Sequence, residues 1–331
     1  MDRPSVQPAD VERMANSTLL SYGPNSKQKY SRFWILLALA GIIATAGVAN
    51  DSTATVIGAM IVAPLMTPIL GTAFALVLAN RKRMARSLLV VLGGALLVIA
   101  MGYGIGMIDS LDTMTQGNSQ VSSRVNPRLI DLIAALATGL VGAFALVRAD
   151  VADTLPGVAI AISLVPPLSV IGLTFQDGLY EESWGATLLF LTNVSAIIFT
   201  ATLILLLYRV RDTAKGMGGY VGHFSGMTLA AVVGLVVLIA IPLASHTKTL
   251  WDENLTRYRV GPIAADWAEA NEWLVVELDV SGDVVNVRAV GAPPQISADA
   301  LRMSMDDAGY EDLDLTVELI VGGADSLPGT G

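Results

Sequence analysis

The chain has 331 residues, of which 53% are hydrophobic and 15% are charged, whereas soluble domains carry about 25% charged residues. This composition excludes an ordinary soluble protein and predicts an integral membrane protein. Residues 246–331 hold 16 acidic and 5 basic side chains, whereas the first 245 residues hold 13 and 15. The acidic C-terminal part argues against nucleic acid as a partner.

Residues 1–32 are polar and predict a cytoplasmic N-terminal segment, with a short surface helix near residues 9–20. Seven apolar runs follow, each near the length that a bilayer core requires. They cover residues 33–49, 53–79, 87–108, 129–147, 154–174, 185–208 and 225–244. A signal peptide ending at residue 49 explains the first run less well, because the polar lead is long and another apolar run follows almost at once.

The basic residues predict how these spans are oriented, because cytoplasmic loops are enriched in Lys and Arg. With the N-terminus inside, the inner segments carry 11 Lys and Arg and the outer loops carry 2. We therefore expect a multi-pass protein of the inner (cytoplasmic) membrane, with the lipid bilayer as its partner and an extracytoplasmic C-terminal part. Re-entrant loops at the two proline-containing runs would change the split to 8 and 5, which favours true spans.

Residues 246–322 predict a small α+β domain with the order α-β-β-α-β. "WLVVELDV" and "VVNVRAVG" alternate apolar and polar residues around Ser281-Gly282-Asp283, which is typical of a hairpin. Helices are expected at residues 263–270 and 297–308, the second one capped by Ser297, and "LDLTVELIV" is a third strand. Residues 323–331 predict a flexible tail.

Two apolar runs contain paired prolines, "MIVAPLMTPILG" and "ISLVPPLSVIG". Proline removes a backbone donor and breaks the helical hydrogen-bond ladder. A shift of 102 residues places Asp51 on Asp153 and Pro64 on Pro166, and Pro167 supplies the second proline of the later run. The two runs therefore read as copies of one element.

The predicted topology gives these copies opposite directions across the membrane. Residues 33–108 and 129–208 are then two inverted three-helix repeats, in which proline breaks the second and the fifth helix. Inverted repeats with broken helices near the midplane recur among transporters. The expected fold is thus seven transmembrane helices with a 3+3 inverted repeat and a small C-terminal α+β domain. Residues 225–244, the seventh helix, would connect the two parts.

"VIGAMIVAPLMTPILG", "GVAIAISLVPPLSVIGL" and "LFLTNVSAI" resemble the signature segments of the domain of unknown function 389 family. The family is described as uncharacterised hydrophobic bacterial proteins, and the resemblance covers about residues 31–211. It implies a bacterial membrane protein and transfers no catalytic residue and no cofactor.

The candidate translocation or binding residues are polar groups and prolines near the two breaks and inside the sixth span. They are Asn50, Asp51, Ser52, Pro64, Thr67, Pro68, Asp153, Thr154, Ser163, Pro166, Pro167, Ser169 and Asn193. The prolines are expected to leave the carbonyls of Met60, Pro64, Ile162 and Ser163 without their helical donors, free to coordinate a cation or a polar solute. The structural alternatives are a repaired kink for the prolines, helix caps for the aspartates and interhelical packing for Asn193.

Other motifs add no chemistry. "GYGIG" (102–106) resembles a potassium filter superficially, but its place within a continuous apolar span favours a helix-packing face. No metalloprotease, nucleophile-elbow or P-loop motif is present, and the two histidines are isolated. We therefore expect that the protein is not an enzyme and that it binds no metal ion and no cofactor.

The sequence thus predicts a transporter or channel for an ion or small polar solute, with a pathway at the broken helices. Small-residue helix faces also predict a homo-oligomer. The alternative is a membrane-anchored sensor or assembly protein whose acidic outer domain binds a partner or ligand.

Overall fold

The computed structural model describes residues 6–108, 118–148, 164–217, 234, 255–281, 284–294 and 296–321. The chain forms two compact units, Met1–Ala244 and Ser245–Gly331. Apart from residue 234, the predicted seventh span lies outside the described residues, and so does the whole predicted tail.

The described part of the first unit is helical. In chain order its helices are α1 (Pro8–Thr18), α2 (Ser26–Ala49), α3 (Thr53–Val62), α4 (Met66–Val77), α5 (Arg81–Ile108), α6 (Ser119–Val125), α7 (Leu129–Val147), α8 (Val165–Gln176), α9 (Tyr180–Leu207) and α10 (Val210–Lys215).

Four of the described helices, α2, α5, α7 and α9, are long and apolar enough to cross a membrane. The pair α3 and α4 passes the same test together, with a bend of 47° at the break between them. Their surfaces carry large exposed apolar side chains, such as Leu89, Leu96 and Ile133, which suit contact with lipid. The coarse prediction of a helical membrane protein is therefore supported by four or five of the predicted spans.

Helix α1 forms where a short surface helix was predicted, and one of its faces packs on the bundle. Val11, Met14 and Ala15 recur at helical spacing and are buried against the bundle. The carbonyl of Thr18 approaches Gly71 of α4 so closely that a β-carbon on Gly71 would collide with it. The apolar stripe of α1 explains this packing, because burial of such a stripe is what stabilises a short helix.

Two helix pairs have the same construction. A 12-residue helix (α4 or α8) is followed by three residues and then by a 28-residue helix (α5 or α9). Each bound of the second pair lies 99 residues after its counterpart in the first. The described helices therefore repeat with an offset of 99, and the 102-residue shift read from the sequence does not match their bounds.

The connectors of the two pairs also have the same hydrogen bonds. In the first, Asn80 N donates to Ala75 O at 2.9 Å, and in the second Leu179 N donates to Thr174 O at 2.9 Å. The residue before each donor, Ala79 or Gly178, has a left-handed backbone with φ of 52° or 77°. This arrangement ends a helix and satisfies its last carbonyls, so each short helix turns sharply into its long partner.

Arginine caps identify one end of the bundle. The Arg13 guanidinium donates to the carbonyls of Leu146 and Val147 at the end of α7, both at 3.1 Å. Arg211 donates to Val77 O at the end of α4, at 3.1 Å. Helices α1 and α10, which carry these arginines, contact each other. We call this region, with the start of α5, the basic end.

Helix α6 marks the opposite region. Asn118 donates to Val48 O at 2.8 Å at the end of α2, and Gln120 Nε2 donates to Thr53 Oγ1 at 2.9 Å at the start of α3. Helix α6 also packs against α8 and α9. We call this region the α6 end.

The "GYGIG" segment lies in α5 and packs against α8, as the helix-packing interpretation predicted. A β-carbon on Gly102 would lie 2.7 Å from Ser169 O and 3.1 Å from Gly172 Cα. Gly106 faces Gln176 in the same interface, whereas Gly104 has nothing within 4 Å. Small residues at this crossing let the two helix backbones touch.

The second unit has the predicted order of elements. A helix at residues 255–269 (α11) precedes β1 (Trp273–Ser281), β2 (Val284–Gly291), α12 (Asp299–Asp307) and β3 (Asp314–Val321). Strands β1 and β2 pair antiparallel, and β2 and β3 pair parallel, in the sheet order β1-β2-β3. The prediction of this part as α-β-β-α-β is confirmed for the described residues.

One face of this sheet packs on the two helices. Val285, Val287 and Ala289 of β2 are at most 1% exposed, and they contact a core that includes Trp267 of α11 and Leu301 of α12. The other face carries charged residues. Arg288 makes ion pairs with Glu277 of β1 and Glu318 of β3, which are its neighbours in register.

Candidate functional site

The first break lies at the middle of the bundle. Helix α3 ends at Val62, Ala63 has an extended backbone, and α4 begins at Met66. Leu65 packs close to Gly94, where a β-carbon would lie 3.2 Å from Leu65 Cδ2. Gly94 is at mid-length of the 28-residue α5. The predicted break in the second apolar run is therefore present. It lies level with the middle of the neighbouring long helix α5.

The hydrogen bonds at this break differ from those predicted. Pro64 has no N–H and cannot donate to the carbonyl of Met60, as expected. The carbonyl of Pro64, however, accepts from Thr67 N at 3.2 Å. Pro68 lies in the first turn of α4, where its missing N–H would have had no helical partner. The prediction that Pro68 frees the Pro64 carbonyl is therefore wrong, because a tighter turn satisfies that oxygen.

Pro166 and Pro167 lie in the first turn of α8, which begins at Val165. Proline is well tolerated there, since its fixed φ suits a helix start. In the described part of this run, the prolines begin a helix and do not interrupt one. Asp153, Thr154 and Ser163, together with the carbonyl of Ile162, lie outside the described residues.

Ser169 is the most unusual polar residue of α8. It is 0% exposed, and its Oγ has no hydrogen-bond partner among the described residues. A helical serine usually returns its hydroxyl to the carbonyl four residues earlier, as Thr72 does toward Pro68 O at 2.9 Å. A buried hydroxyl without a partner costs about 1–3 kcal/mol, so this group requires an explanation.

Ser169 lies within about two turns of the middle of α5. Its backbone packs on Gly102, which is eight residues, or about 12 Å, beyond Gly94 along α5. The Gly106–Gln176 contact comes later in both helices, so α5 and α8 run in the same direction. The first turn of α8 therefore lies near the level of Leu65 and the first break.

Asn193 is at mid-length of α9 and is 7% exposed. This residue has an interaction partner in the structure. An amide that is buried and partnered in an apolar helix fits interhelical packing as well as a pathway lining.

The residues that open the second run form a polar turn at the α6 end. Asn50 ends α2 and donates to Ala46 O at 2.9 Å. Ser52, not Asp51, is the N-cap of α3, with Oγ 3.4 Å from Thr55 N. Asp51 instead accepts from Ser119 Oγ at 2.7 Å and from Gln120 N at 3.0 Å. The prediction that Asp51 caps its own helix is therefore wrong.

These bonds stabilise the charged form of Asp51. The Ser119 hydroxyl, followed by the Gln120 amide, lowers the pKa of the Asp51 carboxyl. Sequence reasoning did not single out Asn118, Ser119 or Gln120. The available signal was Asn118 before a polar segment, since asparagine is a preferred N-cap and it accepts from the amides of Gln120 and Val121 here.

The described helices define the chain as a helical membrane-type protein with a small α+β unit. A model of the domain of unknown function (DUF389) matches residues 60–199. A curated relative, an uncharacterized protein of Methanocaldococcus jannaschii, is 31% identical over 203 residues, which are 61% of this chain and 62% of the relative. The chain thus spans under two thirds of that relative. No solved structure matches it.

The match of residues 60–199 to this family model confirms the resemblance predicted from the proline-containing segments. The matched range begins in α3 and ends within α9, so it contains both proline clusters, Ser169 and Asn193. The expected bacterial source gains no support from this relative.

Proposed function

We propose that the protein is a membrane transporter or channel for an ion or a small polar solute, with its pathway at the starts of α4 and α8. In this proposal, the two helix pairs are inverted repeats within a seven-span membrane unit. The orientation is the one that the basic residues favour, with the basic end facing the cytoplasm.

The directions of the helices support inversion. Helix α4 ends at the basic end, where Arg211 caps Val77, whereas α8 ends near the last turns of α5 and packs against α6. The bent pair α3–α4 starts at the α6 end, where Thr53 bonds Gln120. A segment that starts at one end and finishes at the other supports a broken span over a re-entrant loop.

The hydroxyl of Ser169, which has no partner among the described residues, is the observation that carries the proposal. In a membrane protein, a buried hydroxyl that finds no partner destabilises the fold by about 1–3 kcal/mol. A solute or a water file beside the first turn of α8 would supply that partner. Pro166 and Pro167 have no N–H, so the first turn of α8 lacks two backbone donors. The Ser169 hydroxyl is therefore an important hydrogen-bonding group beside this turn.

The test is flux in proteoliposomes for Ser169→Ala, scored against folded protein. We expect flux to fall at least tenfold while thermal stability stays equal or rises, because an unpaired hydroxyl is removed. Thr174→Val is the matched control in the same helix, since its hydroxyl is bonded to Val170 O at 2.8 Å and to Ser183 Oγ at 2.7 Å. It should lose about 1 kcal/mol of stability and keep its flux.

Substitution of Pro64 and Pro68, or of Pro166 and Pro167, should also reduce flux if the helix starts line the pathway. Full flux in Ser169→Ala would refute the proposed role of this hydroxyl. Folded wild-type protein that passes no ordinary ion or small solute would instead support the membrane-anchored sensor or assembly role.

A further inference from the structure

Strand β3 forms one edge of the sheet in the part of the chain that the structure describes. It is at the end of the described sheet and pairs with β2 over eight consecutive residues without a bulge. Its sequence, DLTVELIV, has no proline and no lysine, which are common devices against edge pairing. At the opposite edge, β1 has a register irregularity between Val275 and Glu277, and a bulge of this kind hinders pairing. Edge pairing is therefore favoured at β3.

The hydrophobic core is also incomplete along β3. The core-facing residues of the central strand are almost fully buried, whereas those of β3 are only half-buried. The β3 residues are Leu315, Val317 and Leu319, and their β2 partners in register are Val285, Val287 and Ala289. A further strand beside β3 would cover these side chains and satisfy the open backbone groups.

We propose that β3 pairs antiparallel with β3 of a second copy of this chain, centred on Val317, to form a continuous six-stranded sheet. On the core face, Val317 then lies opposite Val317 of the second copy, and Leu315 lies opposite Leu319. On the open face, Thr316 lies opposite Glu318, and Asp314 lies opposite Ile320. The core face pairs apolar residues throughout, and no two carboxylates stand directly opposite each other.

Charge selects this register from its neighbours. Centring on Thr316 would place Asp314 opposite Glu318, and centring on Glu318 would place this residue opposite itself. Like charges directly opposite each other destabilise a strand pair. If each residue instead lay opposite the sequence neighbour of its present partner, the apolar row of one copy would lie on the solvent face of the other. Of the registers centred on residues 316, 317 and 318, only the one centred on Val317 avoids these like-charge pairs while it keeps the apolar rows aligned.

Arg288 weakens the electrostatic repulsion that remains between the carboxylates of the two copies. Its Nε lies 2.6 Å from Glu318 Oε2, and it also pairs with Glu277. Residues 246–331 nevertheless carry 16 acidic and 5 basic side chains, so two such units repel at long range. Salt screens this repulsion beyond about 10 Å at 0.1 M, and we expect association to strengthen as ionic strength rises.

Cysteine cross-linking of the full chain in membranes tests the pairing, because the natural sequence has no cysteine. Val317→Cys should form a disulfide dimer on mild oxidation, since directly opposite residues place their Cβ atoms about 4.5–5.5 Å apart. Thr316→Cys and Glu318→Cys should cross-link when mixed but not alone. Asp307→Cys, exposed on α12, is the control for random collision.

Two variants of opposite charge at the exposed residue Thr316 provide an independent measurement that leaves the core residues unchanged. Thr316→Glu would place two like-charge pairs across the interface and should reduce the dimer fraction about fivefold, whereas Thr316→Lys should raise it. Self-linking of Thr316→Cys or Glu318→Cys would overturn the register. Cross-linking of Val317→Cys no faster than Asp307→Cys, or equal dimer fractions for Thr316→Glu and Thr316→Lys, would overturn the pairing itself.

Discussion

Alanine at the three glycines of "GYGIG" should have three different effects, although the residues are neighbours in one helix. A β-carbon on Gly102 would lie 2.7 Å from Ser169 O, whereas ordinary contacts begin at 3.4 Å. Helices α5 and α8 must then separate, and overpacking of this kind costs about 1–3 kcal/mol. Gly104 has open space, and at Gly106 the obstacle is the flexible end of Gln176.

Helix propensity acts in the opposite direction at all three sites. Alanine is favoured over glycine by about 1 kcal/mol in a helix interior, so Gly104→Ala should be neutral or more stable than the natural protein. Gly102→Ala should be less stable than Gly104→Ala by about 1–3 kcal/mol, with Gly106→Ala between them. In a unit of this size, each kcal/mol shifts Tm by about 2–4 °C.

Thermal unfolding of the purified full chain in one detergent would measure this order. Equal Tm values for the three variants would refute the claim that Gly102 is the contact point of α5 and α8. A stability loss that is largest at Gly104 would refute the placement of this helix face.

Two further predictions concern the polar turn and the orientation. Asp51→Asn should lower Tm at pH 7, because the neutral amide is a weaker acceptor for Ser119 and Gln120. Since the pKa of Asp51 is lowered in the fold, its stabilising contribution is present above the ordinary aspartate pKa and is lost as pH falls through the lowered value; a Tm difference that persists unchanged in strong acid contradicts this account. For the orientation, a thiol reagent should label Met84→Cys from the cytoplasmic face of the inner membrane and Ile320→Cys from its outer face. Labelling of both residues from one face would contradict the predicted topology.

The elements of the C-terminal unit could be predicted because each obeys a local rule. Alternating apolar residues marked β1 and β2, and the flanking turn residues marked the hairpin. Of the two predicted helices, the one at residues 263–270 was placed too short, since the described α11 covers 255–269. Its first turns include Tyr258, which is 81% exposed, and exposed residues give no periodic apolar signal.

The details of the breaks could not be predicted, because they depend on contacts between distant residues. Asp51 was assigned to its own helix by proximity in sequence, but its partners lie 68 and 69 residues away. The repeat offset was misjudged for a related reason. Aligning prolines matched Pro64 with Pro166, whereas the helix bounds match Pro68 with Pro167, because helix ends are set by caps and turns as well as by proline.

With the offset of 99, the residues that agree between the two helix pairs are those that shape the backbone. Leu65 and Leu164 are both N-caps with helical backbone angles, Pro68 and Pro167 both lie in a first turn, and Ala79 and Gly178 both adopt the left-handed region. The construction of a short helix that turns into a long one is thus common to both pairs.

The polar side chains of the site do not follow this agreement. Ser169 takes the position of Leu70, and Asn193 takes the position of Gly94, which packs against Leu37 and Leu65. One pair therefore presents apolar or absent side chains where the other presents a hydroxyl and an amide. If the two pairs form a pathway, its backbone frame is symmetric and its chemistry is not, since among the described residues Ser169 of α8 is the buried hydroxyl without a partner. A solute would then be bound by the second pair and enclosed by the first, which is why Ser169 is the residue whose replacement should separate flux from folding.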